Sequence, residues 1–304
     1  MLKNKTLLSD LLLLLVTLLA ALGWVFSKEA LQGIAPLAFL GVRFLLAGML
    51  LAILCIPQFK LLTSQDWKLA LAMGGLFSVA LMIWVQGLFV SNHVGEGAFI
   101  TSLGVVLVPV VGKWVFKEPL PMTTWIALPV AIIGLACLSL NGGFQFENGQ
   151  ILFTVAAVMF ALHFNLNTLA VAKIPAFALT SIQLLSAGAG AILVSFALES
   201  WPLDISPITW GWILASVILA SAARFVIQTY AQSMASASHA AVILILEPLW
   251  VCFITAFWFD ESMTLMQFSG CALIFLALLI NRWRMVRQLI KSILYGNPEA
   301  SNKP

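Results

Sequence analysis

The sequence is a succession of apolar blocks, each long enough to cross a lipid bilayer as a helix. One crossing needs about 20 apolar residues. Lipid offers the backbone no hydrogen-bond partners, and continuous apolar runs do not alternate as barrel strands do, so the blocks predict helices. The predicted fold class is therefore an all-α integral membrane protein with ten transmembrane helices. The ten blocks are Leu8–Ser27, Ala35–Ile56, Trp67–Val90, Glu96–Phe116, Met122–Leu140, Gly149–Ala172, Pro175–Leu198, Pro207–Gln232, His239–Phe259 and Thr264–Trp283.

The composition excludes a soluble enzyme held by one anchor. Of the 304 residues, 62% are hydrophobic and only 9% are charged, whereas about a quarter of the residues in soluble domains are charged. The net charge of +3 comes mostly from basic residues beside the apolar blocks, which indicates a membrane surface and no nucleic-acid partner. We expect the first block to be an uncleaved span and not a signal peptide, because the chain behind it stays apolar.

Motifs for metal, disulfide or nucleotide chemistry are absent from the sequence. The cysteines Cys55, Cys137, Cys252 and Cys271 lie inside apolar blocks, without a CxxC spacing or a histidine cluster. Neither a disulfide framework nor a metal site is therefore predicted. The sequence also has no Walker, HExxH or GxSxG motif, so we expect neither direct use of ATP nor enzymatic activity.

Basic residues predict the orientation, because short cytoplasmic loops carry an excess of Lys and Arg. With the N-terminus inside, 12 of the 15 basic residues fall on the cytoplasmic side and only Lys28 falls outside. The other two, Arg43 and Arg224, lie within spans. We therefore expect a multi-pass protein of the inner (plasma) membrane with both termini in the cytoplasm.

The most polar linker in the middle of the chain, Asn141–Asn148, separates the helices into two sets of five. The expected organisation is one five-helix repeat over residues 8–140, a second over 149–283, and a basic cytoplasmic tail over 284–304. A unit with an odd number of helices enters the membrane from the opposite side the second time. Inverted repeats of this kind are typical of secondary transporters, whose substrate sites lie near the midplane.

Internal matches support this duplication. A shift of 140 residues pairs Leu45 with Leu185, Gly48 with Gly188 and Arg43 with Gln183, and a shift of 142 pairs Gln86 with Gln228. Apolar chains give single matches by chance, but two nearly equal offsets favour a repeat.

Two stretches resemble a known family. The segment LGWVFSKEAL from Leu22 to Leu31, with Pro36 and RFLLAG from Arg43 to Gly48, is similar to the opening of the EamA family in the drug/metabolite transporter superfamily. Glu247-Pro248-Leu249, followed by Asp260-Glu261 and by MQFSG from Met266 to Gly270, resembles the end of the second EamA repeat.

The resemblance implies a ten-helix carrier that moves small metabolites or amino acids, often outward, by alternating access and without a cofactor. This sequence departs from two-fold symmetry at one point. Where the second half has Glu247-Pro248, the first half has Gly104-Val105, with its proline displaced to Pro109.

Arg224 and Glu247 are the main candidates for a site. Each lies about 12 Å deep in neighbouring antiparallel spans, and charges within a bilayer face a cavity or the bundle interior. Two interpretations stay open: a pair that opens when substrate or a proton binds, and a static ion pair between two helices. Pro248 predicts a kink beside Glu247, which suits proton coupling, an ammonium ligand or simple packing.

Other candidates are weaker. Arg43 could hold a substrate carboxylate or satisfy carbonyls at a helix crossing. His163 and Asn167 lie on one face of the sixth span, which lines a polar path or joins helices. Further side chains that could line the cavity, or could be packing residues, are Trp24, Trp84, Gln86, Gln228 and Tyr230.

The leading expectation is a secondary active transporter that exports amino acids or related small metabolites, driven by a proton gradient. The alternatives are an intramembrane enzyme acting on lipid-linked substrates, or a channel. The expected partners are a small-molecule substrate and the lipid bilayer, and self-association into a homo-oligomer stays open.

Overall fold

The computed structural model describes residues 2–90, 94–117, 119–139, 148–201, 204–258, 264–281 and 283. Every regular element in these ranges is helical. The first five spans are α1 Leu2–Ala30, α2 Pro36–Leu54, α3 Ser64–Val90, α4 Val94–Val115 and α5 Met122–Ser139. The second five are α6 Asn148–Ala170, α7 Ala176–Leu198, α8 Pro207–Gln232, α9, composed of Ala237–Leu244 and Glu247–Trp258, and α10 Leu265–Asn281. A short helix, Ile56–Phe59, follows α2.

The helices have the lengths and polarity of membrane spans. Six of them, from α1, α2, α3, α6, α7 and α8, are long and apolar enough to cross a bilayer. The other four contain shorter apolar helices, Ile100–Val115, Met122–Cys137, Ala237–Val251 and Leu265–Asn281. Large apolar side chains such as Phe257, which is 91% exposed, cover the exterior, as expected for a surface that faces lipid.

The packing follows a two-fold pattern. Helix α2 packs against α7, and α5 packs against α10. Helix α1 packs against α8 and α9, while α6 packs against α3 and α4. The two repeats are related by exchanging α1 with α6, α2 with α7, and so on to α5 with α10. This exchange leaves the α2–α7 and α5–α10 contacts unchanged, and it converts the contacts of α1 with α8 and α9 into those of α6 with α3 and α4. The chain is therefore folded as two inverted five-helix repeats, each of which packs its first helix onto the other.

The crossing of α2 and α7 shows this symmetry at the level of single residues. A Cβ atom on Gly48 would lie 2.7 Å from the backbone nitrogen of Leu185, and a Cβ on Gly188 would collide with the backbone nitrogen of Leu45. The offset of 140 relates Gly48 to Gly188 and Leu45 to Leu185. Glycine is thus required at both positions because the two backbones touch there.

Three helices differ from the sequence prediction by more than three residues at an end or by an irregular segment. Helix α1 is longer than Leu8–Ser27 and covers Leu2–Ala30. Helix α8 contains an eight-residue π-helical segment, Ser216–Ala223, between its two α-helical parts. Helix α9 is interrupted at Ile245 and Leu246, so that Glu247 begins a new segment.

The interruption of α9 agrees with the predicted kink and has a simple cause. Pro248 has no N–H to donate to the carbonyl of Leu244, where the first segment ends, and its ring would crowd that carbonyl. At the second position of the new segment Pro248 meets neither problem. In the first half, α4 carries Pro109 inside an uninterrupted helix. The predicted linker, apart from Asn148, and the predicted tail 284–304 lie outside the described residues.

Candidate functional site

Arg224 and Glu247 meet where α8 and α9 pack against α1. Arg224 Nη2 lies 3.5 Å from Glu247 Oε2, and the two side chains are 21% and 24% exposed. Trp24 Nε1 on α1 donates to the other oxygen, Glu247 Oε1, over 3.3 Å. The carboxylate thus makes one long contact to the first half of the chain, through Trp24, and one within the second half, through Arg224. Side chains with this partial exposure are accessible to water or a small ligand.

Both charged residues stand directly beside irregular backbone. Arg224 is the first residue after the π-helical segment of α8, and Glu247 is the first residue after the interruption of α9. π-Helical turns are frequent at functional sites, and helix breaks supply freedom to bend. The ion pair therefore connects two helices at the points where each departs from α-helical geometry.

Aromatic rings surround the pair. The Arg224 guanidinium lies 4.5 Å from the centroid of the Phe225 ring, a favourable cation–π geometry. Trp24 meets Trp84 of α3 edge-to-face at 6.4 Å, and Trp84 Nε1 donates to Thr101 Oγ1 over 3.0 Å. These contacts fix the orientation of the Trp24 ring that donates to Glu247.

Several buried polar atoms lack a hydrogen-bond partner among the described residues. They include Arg224 Nε, Gln228 Oε1 and His163 Nε2. Arg224 and Gln228 are one turn apart on the same face of α8. His163 stacks on Phe77 at 4.8 Å, and Phe77 also packs against Phe225 at 5.6 Å. Buried polar groups normally have partners, so these three atoms keep hydrogen-bonding capacity that the described protein groups do not use.

A buried amide network lies beyond these residues. Asn167 Nδ2 donates to Gln232 Oε1 over 2.5 Å and to Thr229 Oγ1 over 3.3 Å, and Gln183 Nε2 donates to Asn167 Oδ1 over 3.0 Å. Gln232 Nε2 in turn donates to Thr168 Oγ1 over 3.1 Å. The network ties α6, α7 and α8 together. The polar face of α6 was predicted, but its partners Gln232 and Thr229 were missed, because neither stands out in an otherwise polar end of α8.

Arg43 is 9% exposed, and each of its three side-chain nitrogens donates a hydrogen bond within the protein. Its Nε donates to Ser221 Oγ over 2.6 Å, its Nη1 to Ser27 Oγ over 3.0 Å, and its Nη2 to the carbonyl of Ala220 over 3.0 Å. Ala220 and Ser221 belong to the π-helical segment, so Arg43 binds the irregular turn of α8. This geometry favours the second of the two interpretations, a guanidinium that satisfies carbonyls at a helix crossing.

The remaining candidates divide by position. Trp24, Trp84 and Gln228 lie at or beside the Arg224–Glu247 pair, as described above. Gln86 and Tyr230 are exposed, and no contact places either of them at the pair. Among the described residues no group of three or more His, Cys, Asp or Glu side chains could hold a metal ion, and Cys55 and Cys137 are free thiols.

A helical bundle of two inverted repeats around a small polar interior defines a multi-pass membrane transport protein. Residues 7–140 and residues 147–283 each match the EamA-like transporter family. The chain therefore belongs to this family, with one match in each half.

Known relatives agree with this assignment. The chain is 29% identical over 283 residues to an uncharacterized transporter of Archaeoglobus fulgidus, covering 91% of this chain and 86% of that protein. It is 27% identical over 277 residues to the uncharacterized transporter YvbV of Bacillus subtilis, covering 87% and 88%. One crystal structure superimposes on this chain with a TM-score of 0.74 at 16% sequence identity. The alignment covers 92% of this chain and 98% of the chain in that crystal structure, so the two share a fold.

Proposed function

We propose that this transporter exports amino acids or related small metabolites by alternating access, with protons as the coupling ion. The observation that carries the proposal is the position of Glu247, whose carboxylate contacts Trp24 of the first half and Arg224 of the second. Loss of its charge or binding of a cation would weaken both contacts at once. A single protonation or ligand-binding event can then change how α1, α8 and α9 pack.

The chemistry of the pair suits a zwitterion. A substrate ammonium would bind Glu247 in place of Trp24 and Arg224, and a substrate carboxylate would bind the released guanidinium in bidentate fashion. Both existing contacts are long, at 3.3 and 3.5 Å, so a ligand that makes shorter contacts can displace them. An α-amino acid carries both groups on one carbon and fits this arrangement of charges.

Irregular backbone beside each charge supports the proposed conformational change. The π-helical segment of α8 and the interruption of α9 adjoin Arg224 and Glu247 respectively. A ligand shifts a conformational equilibrium only by as much as it binds one state better. Separation of Arg224 from Glu247 would change the contacts beside both the π-helical segment of α8 and the interruption of α9. The residues that bind the substrate are then also the residues that control helix movement.

Purified protein in proteoliposomes, preloaded with a panel of labelled amino acids, tests the proposal. We expect saturable efflux that a pH gradient accelerates. Product formation from lipid-linked substrates would instead indicate an enzyme, and non-saturable flux a channel. Asp66→Asn is the matched control for Glu247→Gln, because it removes one negative charge in the first turn of α3, where the Asp66 carboxylate accepts hydrogen bonds from Thr63.

The proposed location is the inner (plasma) membrane, with both termini in the cytoplasm. The support is the excess of basic residues on one side, 12 against Lys28 alone. Reporter fusions at the two ends test this directly, since reporters on opposite sides of the membrane would rule out ten crossings. The proposal assigns the chain a small-molecule substrate and a lipid environment, with no nucleic acid and no cofactor.

A further inference from the structure

A cavity lies at the end of the bundle where α1 runs into α2 and where α8 begins. Its volume is about 380 Å³, within the range of small-molecule sites. It is separate from the Arg224–Glu247 pair, since Glu29 lies about 7.5 Å further along α1 than Trp24. On the predicted topology this end faces outside. The lining residues are Glu29, Gln32, Gly33, Asp204, Ser206, Ile208, Thr209 and Trp212.

The charge of the cavity is negative. Glu29 and Asp204 contribute two carboxylates, whereas Lys28, the residue before Glu29, is exposed and is not part of the lining. The N-terminus of α8 adds only about half a positive charge, and its first turn is capped by Ser206 Oγ, which accepts from Thr209 N over 3.1 Å. Two full negative charges outweigh this partial positive charge, so a cation is favoured over an anion.

The Glu29 carboxylate is held in place but is not saturated. Gln32 Nε2 donates to Oε2 and Trp258 Nε1 donates to Oε1, each over 3.3 Å. An ionised carboxylate offers about four acceptor sites, and the described part of the chain supplies one donor to each oxygen, which leaves capacity for a ligand.

One wall of the cavity is a fixed aromatic ring. Trp212 stacks on Phe26 with centroids 6.0 Å apart and meets Trp258 edge-to-face at 5.9 Å. The ring is thereby held between α1, α8 and α9. Because Trp258 also donates to Glu29, the aromatic wall and the carboxylate keep a constant relative position. An aromatic face beside carboxylates is how proteins recognise organic ammonium ions.

The floor of the cavity is rigid. A Cβ atom on Gly33 would lie 2.5 Å from Thr209 Oγ1, so the backbone between α1 and α2 rests directly on the first turn of α8. The cavity is therefore formed before a ligand arrives, which lowers the entropic cost of binding.

We propose that this cavity binds a compact organic ammonium ion, with the cation against the Trp212 face and its charge opposite Glu29 and Asp204. The site is additional to the Arg224–Glu247 pair and does not rest on the proposed direction or coupling of transport. An ammonium-bearing solute at this end of the bundle would bind here whether or not it is the transported substrate.

Calorimetry on the full chain in lipid nanodiscs tests the site with choline as the probe. The matched ligand is 3,3-dimethyl-1-butanol, which has the same shape without the charge. We expect saturable binding of choline. The dissociation constant of the neutral analogue should be larger than that of choline by about tenfold or more. Absence of choline binding, or equal binding of the two ligands, would overturn the proposal.

Variants locate the bound cation. Glu29→Gln and Asp204→Asn should each weaken choline binding about fivefold, the upper end for a charge pair exposed to water. Asp66→Asn should leave it unchanged. Both lining carboxylates lie at the surface end of the bundle, so these variants are expected to fold. If Glu247→Gln abolishes choline binding while Glu29→Gln and Asp204→Asn retain it, the cation binds at the central pair and the outer site is wrong.

Discussion

Arg43 donates from Nη1 to Ser27 Oγ over 3.0 Å, and the residues 140 positions later make the corresponding contact. There Gln183 donates from Nε2 to Asn167 Oδ1, also over 3.0 Å. Each pair joins the first helix of one repeat to the second helix of the same repeat. The duplication therefore extends to side-chain hydrogen bonds, although the residue types have diverged.

The Arg224–Glu247 pair has no such counterpart. At the offset of 142 residues Arg224 corresponds to Met82, and the first half has Gly104-Val105 where the second half has Glu247-Pro248. The symmetric contacts build the framework, and both charges of the Arg224–Glu247 pair lie in the second half. We therefore expect the proposed site to bind its substrate through an asymmetric set of groups within a symmetric bundle.

We expect Glu247→Gln to lower amino acid flux by about tenfold or more, since hydrogen bonds to charged groups contribute about 1.5–3 kcal/mol. Arg224→Gln should share the defect, because removal of one member leaves the other charge without its partner. Initial rates in proteoliposomes, normalised to folded protein, measure both effects.

Reversal of the charges separates the two interpretations of this pair. In Arg224→Glu/Glu247→Arg a static ion pair is restored, so thermal stability should recover. Flux should stay low, because Trp24 would then face a guanidinium in place of a carboxylate. Recovery of flux to the wild-type rate would show that the pair is structural.

Pro248 is expected to control the bending of α9. Pro248→Ala restores an N–H that can donate to the carbonyl of Leu244, so the two segments should join across Ile245 and Leu246. We expect a lower maximal transport rate with substrate affinity little changed. Slower hydrogen exchange of the backbone amides around Leu246 measures the gain of helix.

The control for this change is Pro109→Ala in α4, where the proline lies inside an uninterrupted helix. It should alter the transport rate less than Pro248→Ala. A continuous α9 with unchanged transport would show that the interruption is only a packing feature.

The sequence predicts the parts of this fold that depend on local composition. Ten spans follow from the lengths of the apolar blocks, and the interruption beside Glu247 follows from Pro248. The meeting of Arg224 with Glu247 follows from their equal depths in adjacent spans.

The π-helical segment of α8 could not be predicted in this way. Ser216–Ala223 contains ordinary small and apolar residues with no proline or glycine. Its geometry is stabilised from outside by Arg43, which binds Ser221 Oγ and the Ala220 carbonyl. A contact between residues 178 positions apart leaves no local pattern. The partners of Asn167 on α8 were missed because they lie at a polar end of that helix, where no single residue stands out.

Arg43 variants test whether this guanidinium is structural. Arg43→Lys keeps the charge but loses the planar donor geometry that reaches Ser27, Ser221 and Ala220 together. We expect it to be less stable by about 1.5–3 kcal/mol, with the apparent affinity for substrate unchanged in the protein that remains folded. A weakened affinity at full stability would instead assign Arg43 to a substrate carboxylate. Thermal unfolding and concentration-dependent flux, measured on the same preparation, distinguish the two results.

The close crossing of α2 and α7 predicts a strong difference between two glycines of the same bundle. In Gly188→Ala the new Cβ would collide with the backbone nitrogen of Leu45 and lie 2.7 Å from its Cα, and backbone cannot move as a side-chain end can. We expect a loss of stability of about 1–3 kcal/mol, as for other overpacked sites.

Gly75→Ala is the control, because a Cβ there meets nothing within 4 Å, and replacing a helical glycine by alanine stabilises by up to about 1 kcal/mol. Thermal unfolding of the two variants in detergent should therefore shift in opposite directions. Equal shifts would mean that the two repeats do not cross as closely as the structure places them.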